Sequence, residues 1–186
     1  MIVQRDAHQS ILNGLSLAGA KAVFLPMSAD PESGLPLPPQ IDHLQAALQK
    51  YPHAKGVFLT CPNYYGIGLD LTEAANVIHT YDVPLIVDEA HGAHYGFHPE
   101  LPPSALSCGA DLVIQSTHKM LGALTMGGML HFRRGRIPEE RLMRMLAVVQ
   151  TSSPSYPVMA SLDLARRQIA TSGAEMLEEA LAVLHQ

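Results

Sequence analysis

Cysteine is scarce in this 186-residue chain, whose two cysteines are Cys61 and Cys108. Two cysteines do not make the disulfide framework of a small secreted domain, so a reduced, cytoplasmic setting is expected. Long apolar runs are also missing, and the amino terminus lacks the pattern of a signal peptide, so neither a membrane span nor secretion is predicted. The 12 Lys and Arg are outnumbered by 17 Asp and Glu, and a net charge of −5 argues against a nucleic-acid partner.

The chain has an ordinary globular composition, with 47% hydrophobic and 16% charged residues, and its length suits one domain with a sizeable core. Apolar runs alternate with stretches of helical spacing, which predicts an α/β fold with a mostly parallel sheet and right-handed crossovers. The predicted strands are residues 1–3, 22–25, 56–59, 83–88 and 128–132, with another that opens at residue 111. The predicted helices are residues 9–19, 41–51, 70–81 and 138–149, a short one from 104, and one or two from 161 onwards, broken near Gly173. Residues 26–39 and 150–157 are predicted loops.

Two of the predicted strands end in residues with catalytic side chains. Leu85-Ile86-Val87 runs into Asp88, and Leu112-Val113-Ile114 runs towards Lys119. Ligands of open α/β sheets bind outside the carboxyl ends of the strands, so one strand brings a carboxylate to that edge and the other an amine. Pyridoxal phosphate needs a lysine for its aldehyde and an acidic partner for its pyridinium nitrogen. The alternative is that Asp88 caps a helix and Lys119 is a solvated surface lysine.

Three stretches resemble the Orn/Lys/Arg decarboxylase family, namely VDEAHGAH, SALSCGADLVIQSTHK and TSSPSYPVMASLDLAR. The resemblance runs from Arg5 to about Arg166. It implies the aspartate aminotransferase-like fold, in three layers, and pyridoxal 5'-phosphate as the cofactor. It also implies roles for seven residues. Lys119 forms the Schiff base, Asp88 contacts the ring nitrogen, His8 stacks on the ring, His91 contacts cofactor or substrate, and Ser116 and His118 contact the phosphate. Ser152 contacts the cofactor phosphate of the partner subunit, which implies a homodimer or a higher homo-oligomer.

Without the resemblance, His8 would be interpreted as a helix-capping or surface histidine, and its match to the family's ring-stacking histidine reverses this interpretation. The family's usual Ser-Pro-Thr-Tyr is replaced here by Cys61-Pro62-Asn63-Tyr64, so the roles of Cys61 and Asn63 stay open. Cys61 is either a reactive thiol or, as we favour, a small buried residue.

The resemblance further implies that the chain, residues 1–186, is part of a pyridoxal-phosphate-binding large domain. Family members carry an amino-terminal phosphate-binding turn and a smaller carboxy-terminal domain, which this sequence does not contain. We therefore expect weak cofactor binding, a tendency to associate, and little or no turnover by the 186-residue polypeptide alone.

Several functions are compatible with these residues. The leading hypothesis is decarboxylation of lysine, arginine or ornithine to a polyamine precursor. An aminotransferase, another pyridoxal-phosphate lyase and a catalytically silent remnant are the alternatives. A metal site is not predicted: His91, His94 and His98 lie near Glu89 in the sequence, but they do not form the His-Glu-x-x-His helix pattern of zinc proteases.

Overall fold

The central feature of the computed structural model, which describes residues 1–184, is a six-stranded sheet flanked by helices. The strands of the chain are β1 (Ile2–Val3), β2 (Val23–Phe24), β3 (Ser28–Ala29), β4 (Pro36–Leu37), β5 (Val57–Thr60), β6 (Leu85–Asp88), β7 (Leu112–Gln115) and β8 (Met129–Phe132). The sheet has the order β2-β1-β5-β6-β7-β8, and its neighbours are parallel except for the antiparallel pair β7 and β8. The predicted α/β class with a mostly parallel sheet is confirmed.

Six helices accompany the sheet: α1 (Gln9–Leu17), α2 (Ile41–Lys50), α3 (Leu71–His79), α4 (Thr117–Met120), α5 (Glu139–Val149) and α6 (Tyr156–Leu184). Local chemistry sets several of their ends. The Asp70 carboxylate accepts hydrogen bonds from the backbone N–H groups of Thr72 and Glu73 and so caps α3. Gly19 follows α1 with a φ of +60°, a conformation that glycine adopts without strain. Within residues 1–184, no helix is both long and apolar enough to cross a membrane.

The core lies between α2, α3 and one face of the sheet. Strand residues at alternating positions point to this face because successive side chains of a strand point to opposite sides. The buried side chains that meet here are Leu44, Leu48, Val57, Leu59, Ala74, Ile78, Leu85, Val87 and Val113. The side chains of the other face, among them Phe58, Ile86 and Ile114, are half-buried. Strand ends of this second face form the cleft described below.

Three expectations about local structure were wrong. Residues 26–39 are not only a loop, because β3 and β4 pair there as a short antiparallel ribbon. The short helix expected from residue 104 is a single hydrogen-bonded turn, since Gly109 with φ +111° reverses the chain. The helix that contains Gly173 is continuous: one internal glycine costs only about 1 kcal/mol relative to alanine. A Cβ at Gly173 would lie 2.9 Å from Cδ1 of Ile169, so the glycine leaves room for that buried side chain.

A buried carboxylate fixes the amino-terminal ends of the two strands that lead to the cleft. Asp111 is 1% exposed, and its Oδ2 accepts hydrogen bonds from the Leu85 backbone N–H at 2.8 Å and from His79 Nε2 at 3.0 Å. Its Oδ1 lies 3.4 Å from Nη1 of Arg136. Asp111 therefore holds the start of β6 against the start of β7, at the edge of the sheet opposite the cleft.

Candidate active site

A cleft lies where β5, β6 and β7 end. Because these strands are parallel and in register, Thr60 pairs with Asp88 and Asp88 with Ile114, so that all three reach the same edge on the same face. The cleft brings together five of the seven residues predicted for the site. Its lining consists of Asp6, His8, Ser10, Thr60, Tyr64, Asp88, Ala90, His91, Ile114, Ser116 and Lys119.

The amine of the cleft belongs to Lys119, an exposed residue in the short helix α4. Its Nζ lies 3.4 Å from Nε2 of His91. The pKa of His91 is lowered, first by burial and to a smaller extent by the positive charge of Lys119, so its imidazole is neutral near pH 7. An ammonium group can only donate, so Nε2 of His91 accepts this hydrogen bond and its proton lies on Nδ1. The contact therefore orients the Lys119 amine towards His91.

The carboxylate of the cleft belongs to Asp88, the last residue of β6. Its Oδ1 accepts a hydrogen bond from the Ala90 backbone N–H at 3.0 Å. Residues 89–96 form turns rather than a helix, so the alternative in which Asp88 caps a helix is wrong. The carboxylate instead fixes the turn that carries His91 into the cleft.

His8 caps a helix and also lines the cleft. It caps α1, with Nδ1 accepting a hydrogen bond from the Ser10 backbone N–H at 3.2 Å and lying 2.8 Å from Ser10 Oγ. At the same time its exposed ring lines the cleft. Capping restrains the ring at this edge of the sheet, which is compatible with a ring-stacking role.

Two buried polar atoms at the cleft have no hydrogen-bond partner within residues 1–184. They are Oγ1 of Thr60 and Oδ1 of Asp6. Buried polar groups of folded proteins are nearly always hydrogen-bonded, so such atoms call for a ligand or a water molecule. The sequence placed Thr60 at this edge of the sheet, since it follows an apolar strand, but it assigned neither residue a role in the site.

Two predicted site residues do not line the cleft. The ring of His118 lies beside α4, where Nδ1 is 2.8 Å from the carbonyl oxygen of Gly127. Since a carbonyl accepts, Nδ1 of His118 donates this hydrogen bond. Ser152 is exposed in the segment between α5 and α6. A role for Ser152 in a partner's site, as the resemblance implies, stays a prediction.

The loop after β5 is fixed by Asn63, which is 2% exposed. Its Nδ2 donates to the carbonyl oxygen of Pro36 at 3.0 Å, and its Oδ1 accepts from the backbone N–H groups of Tyr65 and Ile67, both at 3.0 Å. The loop presents Tyr64, whose ring stands edge-on to His91 with 5.7 Å between ring centres. The side chain of Asn63 thus has a structural role in the loop that carries Tyr64.

Cys61 is part of the core and only 5% exposed. Burial raises the pKa of its thiol to about 11. A thiol with so high a pKa is a poor nucleophile near neutral pH. The interpretation of Cys61 as a small buried residue is thus confirmed.

The histidines that follow Asp88 point in different directions. His94 packs against the ring of Tyr95, and His98 Nε2 lies 2.8 Å from Oε2 of Glu178. Glu89 is bound to the backbone N–H of Ala105 and to the Gln115 amide. In the described part of the chain, no three His, Cys, Asp or Glu side chains come together in a way that could hold a metal ion.

Comparison with known proteins identifies related sequences. The sequence model of the family described as "Orn/Lys/Arg decarboxylase, major domain" matches residues 1–186. Arginine decarboxylase of Bacillus subtilis is 38% identical over 186 residues, which are 100% of this chain and 38% of that protein. The uncharacterized protein YaaO of the same organism is 45% identical over 91% of this chain and 35% of its own length. Arginine decarboxylase of Bacillus anthracis is 36% identical over 100% of this chain. The chain thus spans about 38% of the length of the arginine decarboxylases that it matches.

Solved structures share the fold at lower identity. Serine palmitoyltransferase of Sphingomonas wittichii superposes with a TM-score of 0.69 at 22% identity, over 92% of this chain and 41% of that protein. A pyridoxal-phosphate-bound aminotransferase structure from Clostridium difficile 630 superposes with a TM-score of 0.67 at 13% identity, over 99% of this chain and 47% of its own. These similarities agree with the aspartate aminotransferase-like fold expected from the sequence.

Proposed function

Since this chain belongs to the Orn/Lys/Arg decarboxylase family, we propose that residues 1–186 are part of the cofactor-binding domain of a pyridoxal-phosphate-dependent decarboxylase of a basic amino acid. The observation that carries the proposal is the cleft in which Lys119 and Asp88 meet at the ends of adjacent parallel strands. The amine and the carboxylate are the two groups that this cofactor requires from a protein.

The remaining groups of the cleft also fit pyridoxal phosphate. The His8 and His91 rings offer aromatic surfaces, and Ser116 offers a hydroxyl for a phosphate oxygen. The partnerless Oγ1 of Thr60 offers a further polar contact inside the cleft. The donor set is therefore compatible with an aromatic ring that carries an aldehyde, a basic nitrogen and a phosphate.

When bound, the cofactor supplies an aldehyde for amines and an electron-poor ring that accepts the electrons released as CO2 leaves the substrate. Lys119 would provide the amine that holds it, and His91 Nε2 would accept a hydrogen bond from that amine and so orient it. Asp88 keeps a proton on the ring nitrogen, because a carboxylate stabilises the pyridinium form. Tyr64 narrows the mouth of the cleft beside His91. Lys119, which lines the cleft, would also be the group that supplies a proton to the product.

Arginine is the first substrate to test, because relatives of 36–38% identity over nearly the whole chain are named arginine decarboxylases. The test uses the protein as its gene encodes it, supplied with pyridoxal phosphate and with arginine, lysine or ornithine in turn. Release of CO2 together with the corresponding amine is the expected result. Formation of the 2-oxo acid without CO2 would contradict decarboxylation and identify an aminotransferase.

The proposal includes a homodimer or a higher homo-oligomer. It is supported by the apolar side chains exposed on α5, a helix with no buried residue, among them Met145, Val148 and Val149. Val148→Glu should dissociate the assembly in light-scattering measurements. Val183→Glu, at an exposed valine of α6, a helix that does contain buried residues, is the matched control and should leave the mass unchanged. An unchanged mass for Val148→Glu would argue against α5 as the contact.

A cytoplasmic location is also part of the proposal. It is supported by the two free cysteines, Cys61 and Cys108, which fit a reducing compartment. Basic amino acids are available there as substrates, and the amine product would be a polyamine precursor. Fractionation of cells, with the protein followed by an antibody, tests this part of the proposal directly.

A further inference from the structure

We propose that Glu89 is a positioning residue of this site, which ties the end of β6 to the end of β7 and thereby sets Asp88 relative to Lys119. The inference rests on the proposed function, because it concerns the same cleft. Glu89 does not itself line the cleft. It acts from the opposite face of the sheet, through the backbone of its neighbour Asp88.

The hydrogen bonds of Glu89 are complete although the residue is 0% exposed. Oε1 accepts from the backbone N–H of Ala105 at 2.7 Å, and Oε2 accepts from Nε2 of Gln115 at 2.7 Å. The backbone N–H of Glu89 donates to the carbonyl oxygen of Ile114 at 2.8 Å. The backbone and side chain of Glu89 therefore connect the end of β6 to the last two residues of β7, Ile114 and Gln115. The side chain also connects it to the turn at residues 105–109.

The network extends across a third strand. Oε1 of Gln115 lies 2.8 Å from Nε2 of His131 on β8. Burial lowers the pKa of His131, so the ring is neutral and its Nε2–H donates to the amide oxygen. Gln115 is thereby fixed in one orientation, with its NH2 group towards Glu89. Since Val113, Gln115 and His131 face one side of the sheet while Ile114 and Ser116 face the other, the network lies behind the cleft.

The turn after Asp88 is folded tightly over Glu89. A Cβ at Gly92 would lie 2.7 Å from Cγ of Glu89 and 3.0 Å from Cδ of Pro62, so that only glycine fits there. Gly92 follows His91 directly. A movement of Glu89 would therefore be transmitted both to Asp88 before it and to the His91 turn after it.

These contacts matter for the cleft because its groups come from two different strand ends. Asp88 and His91 move with the end of β6, whereas Ser116 and Lys119 move with the end of β7. A misplacement of about 1 Å between reacting groups can cost about 100-fold in rate. Burial raises the pKa of Glu89, whereas the hydrogen bonds from Gln115 and Ala105 lower it, so these two bonds are what favours the carboxylate form in this buried position.

The test compares three variants. In Glu89→Gln, the new amide meets the Gln115 amide with NH2 facing NH2, so one hydrogen bond of the network is lost. The double variant Glu89→Gln with Gln115→Glu restores the pattern: Gln at 89 accepts from Ala105 and donates to Glu at 115, which also accepts from His131. Asp111→Asn is the control, because Asp111 is an equally buried carboxylate that joins the same two strands at the far edge.

For each variant, the dissociation constant for added pyridoxal phosphate is measured by absorbance titration, and unfolding without cofactor is measured by circular dichroism. We expect Glu89→Gln to weaken binding by about 10- to 100-fold, the range typical of groups that orient ligand-binding side chains in metal sites. The double variant should bind within about 3-fold of wild type, as intact hydrogen bonding implies. Asp111→Asn should lower stability without changing the affinity of the folded protein.

The outcomes separate the inference from the proposed function. If wild type binds pyridoxal phosphate and both Glu89→Gln and Asp111→Asn bind it with the affinity of wild type, Glu89 does not position the site and the inference is overturned. If the double variant folds but binds as weakly as Glu89→Gln, the hydrogen-bond network is not the cause, and the inference is again overturned. If Glu89→Gln does not fold, the affinity of the double variant decides: binding close to that of wild type supports the inference, and much weaker binding overturns it. Absence of binding by wild type would overturn the proposed function and the inference with it.

Discussion

Replacing Asn63 by alanine should destabilise the chain by about 3 kcal/mol. The side chain is 2% exposed and makes three hydrogen bonds with backbone groups, one donated to Pro36 and two accepted from Tyr65 and Ile67. A hydrogen bond contributes about 1 kcal/mol net to stability, and alanine would remove all three hydrogen bonds. Their backbone partners would be left without a partner at a position that water hardly reaches. This is a large part of the roughly 5–15 kcal/mol by which a native domain is stable. Urea unfolding followed by circular dichroism measures it.

The control for this prediction is Asn76→Ala, at an exposed asparagine of α3. Surface substitutions of this kind change stability by less than about 0.5 kcal/mol. Because the loop presents Tyr64 to His91, Asn63→Ala should also reduce the affinity for pyridoxal phosphate in the fraction that stays folded. Destabilisation by less than about 1 kcal/mol would refute the role of Asn63 as the residue that fixes this loop.

Three further predictions concern the cleft and the core. Asp88→Asn should still allow cofactor attachment but should lower turnover by at least about 100-fold, as loss of a major electrostatic contact does; near-normal turnover would count against its role. Cys61, whose pKa is raised to about 11, should be alkylated by iodoacetamide at about pH 8 far more slowly than Cys108, with only about one thiol in a thousand ionised; equal labelling in peptide mass spectra would contradict this. The pKa of His91 in the folded state is lowered below 6.5. The stability of wild type relative to His91→Asn should therefore be full above pH 6.5 and should fall as the pH drops through the folded-state pKa. A difference in urea midpoints between the two proteins that stays constant with pH would show that His91 is not buried as described.

The sheet could be predicted because each of its main strands is a short apolar run in the sequence. The runs before Asp88 and Lys119 are buried in the core as β6 and β7, and the parallel pairing places both functional residues at one edge. This step needed only the rule that parallel strands end at the same side. The location of His8, His91 and Ser116 beside them was implied by the family resemblance and not by this rule.

The network behind the cleft could not be predicted, because its partners are far apart in the chain. Glu89 and Gln115 are separated by 26 residues, and Asn63 and Pro36 by 27. Local spacing gives no information about such pairs, which depend on how the strands and loops pack. The sequence associated Glu89 with the neighbouring histidines, whereas its side chain lies on the other face. The unsatisfied atoms of Thr60 and Asp6 could not be predicted for a similar reason, since an unsatisfied buried atom is visible only in three dimensions.

The central claim is that Lys119 is the residue that holds pyridoxal phosphate. The direct measurement is to mix the purified protein with pyridoxal phosphate, reduce with borohydride, digest, and locate the label by peptide mass spectrometry. The chain contains only three other lysines, Lys21, Lys50 and Lys55, so the assignment is unambiguous. We expect the label on Lys119 and its disappearance in Lys119→Ala. Label on Lys21, Lys50 or Lys55 with Lys119 unmodified would contradict the account.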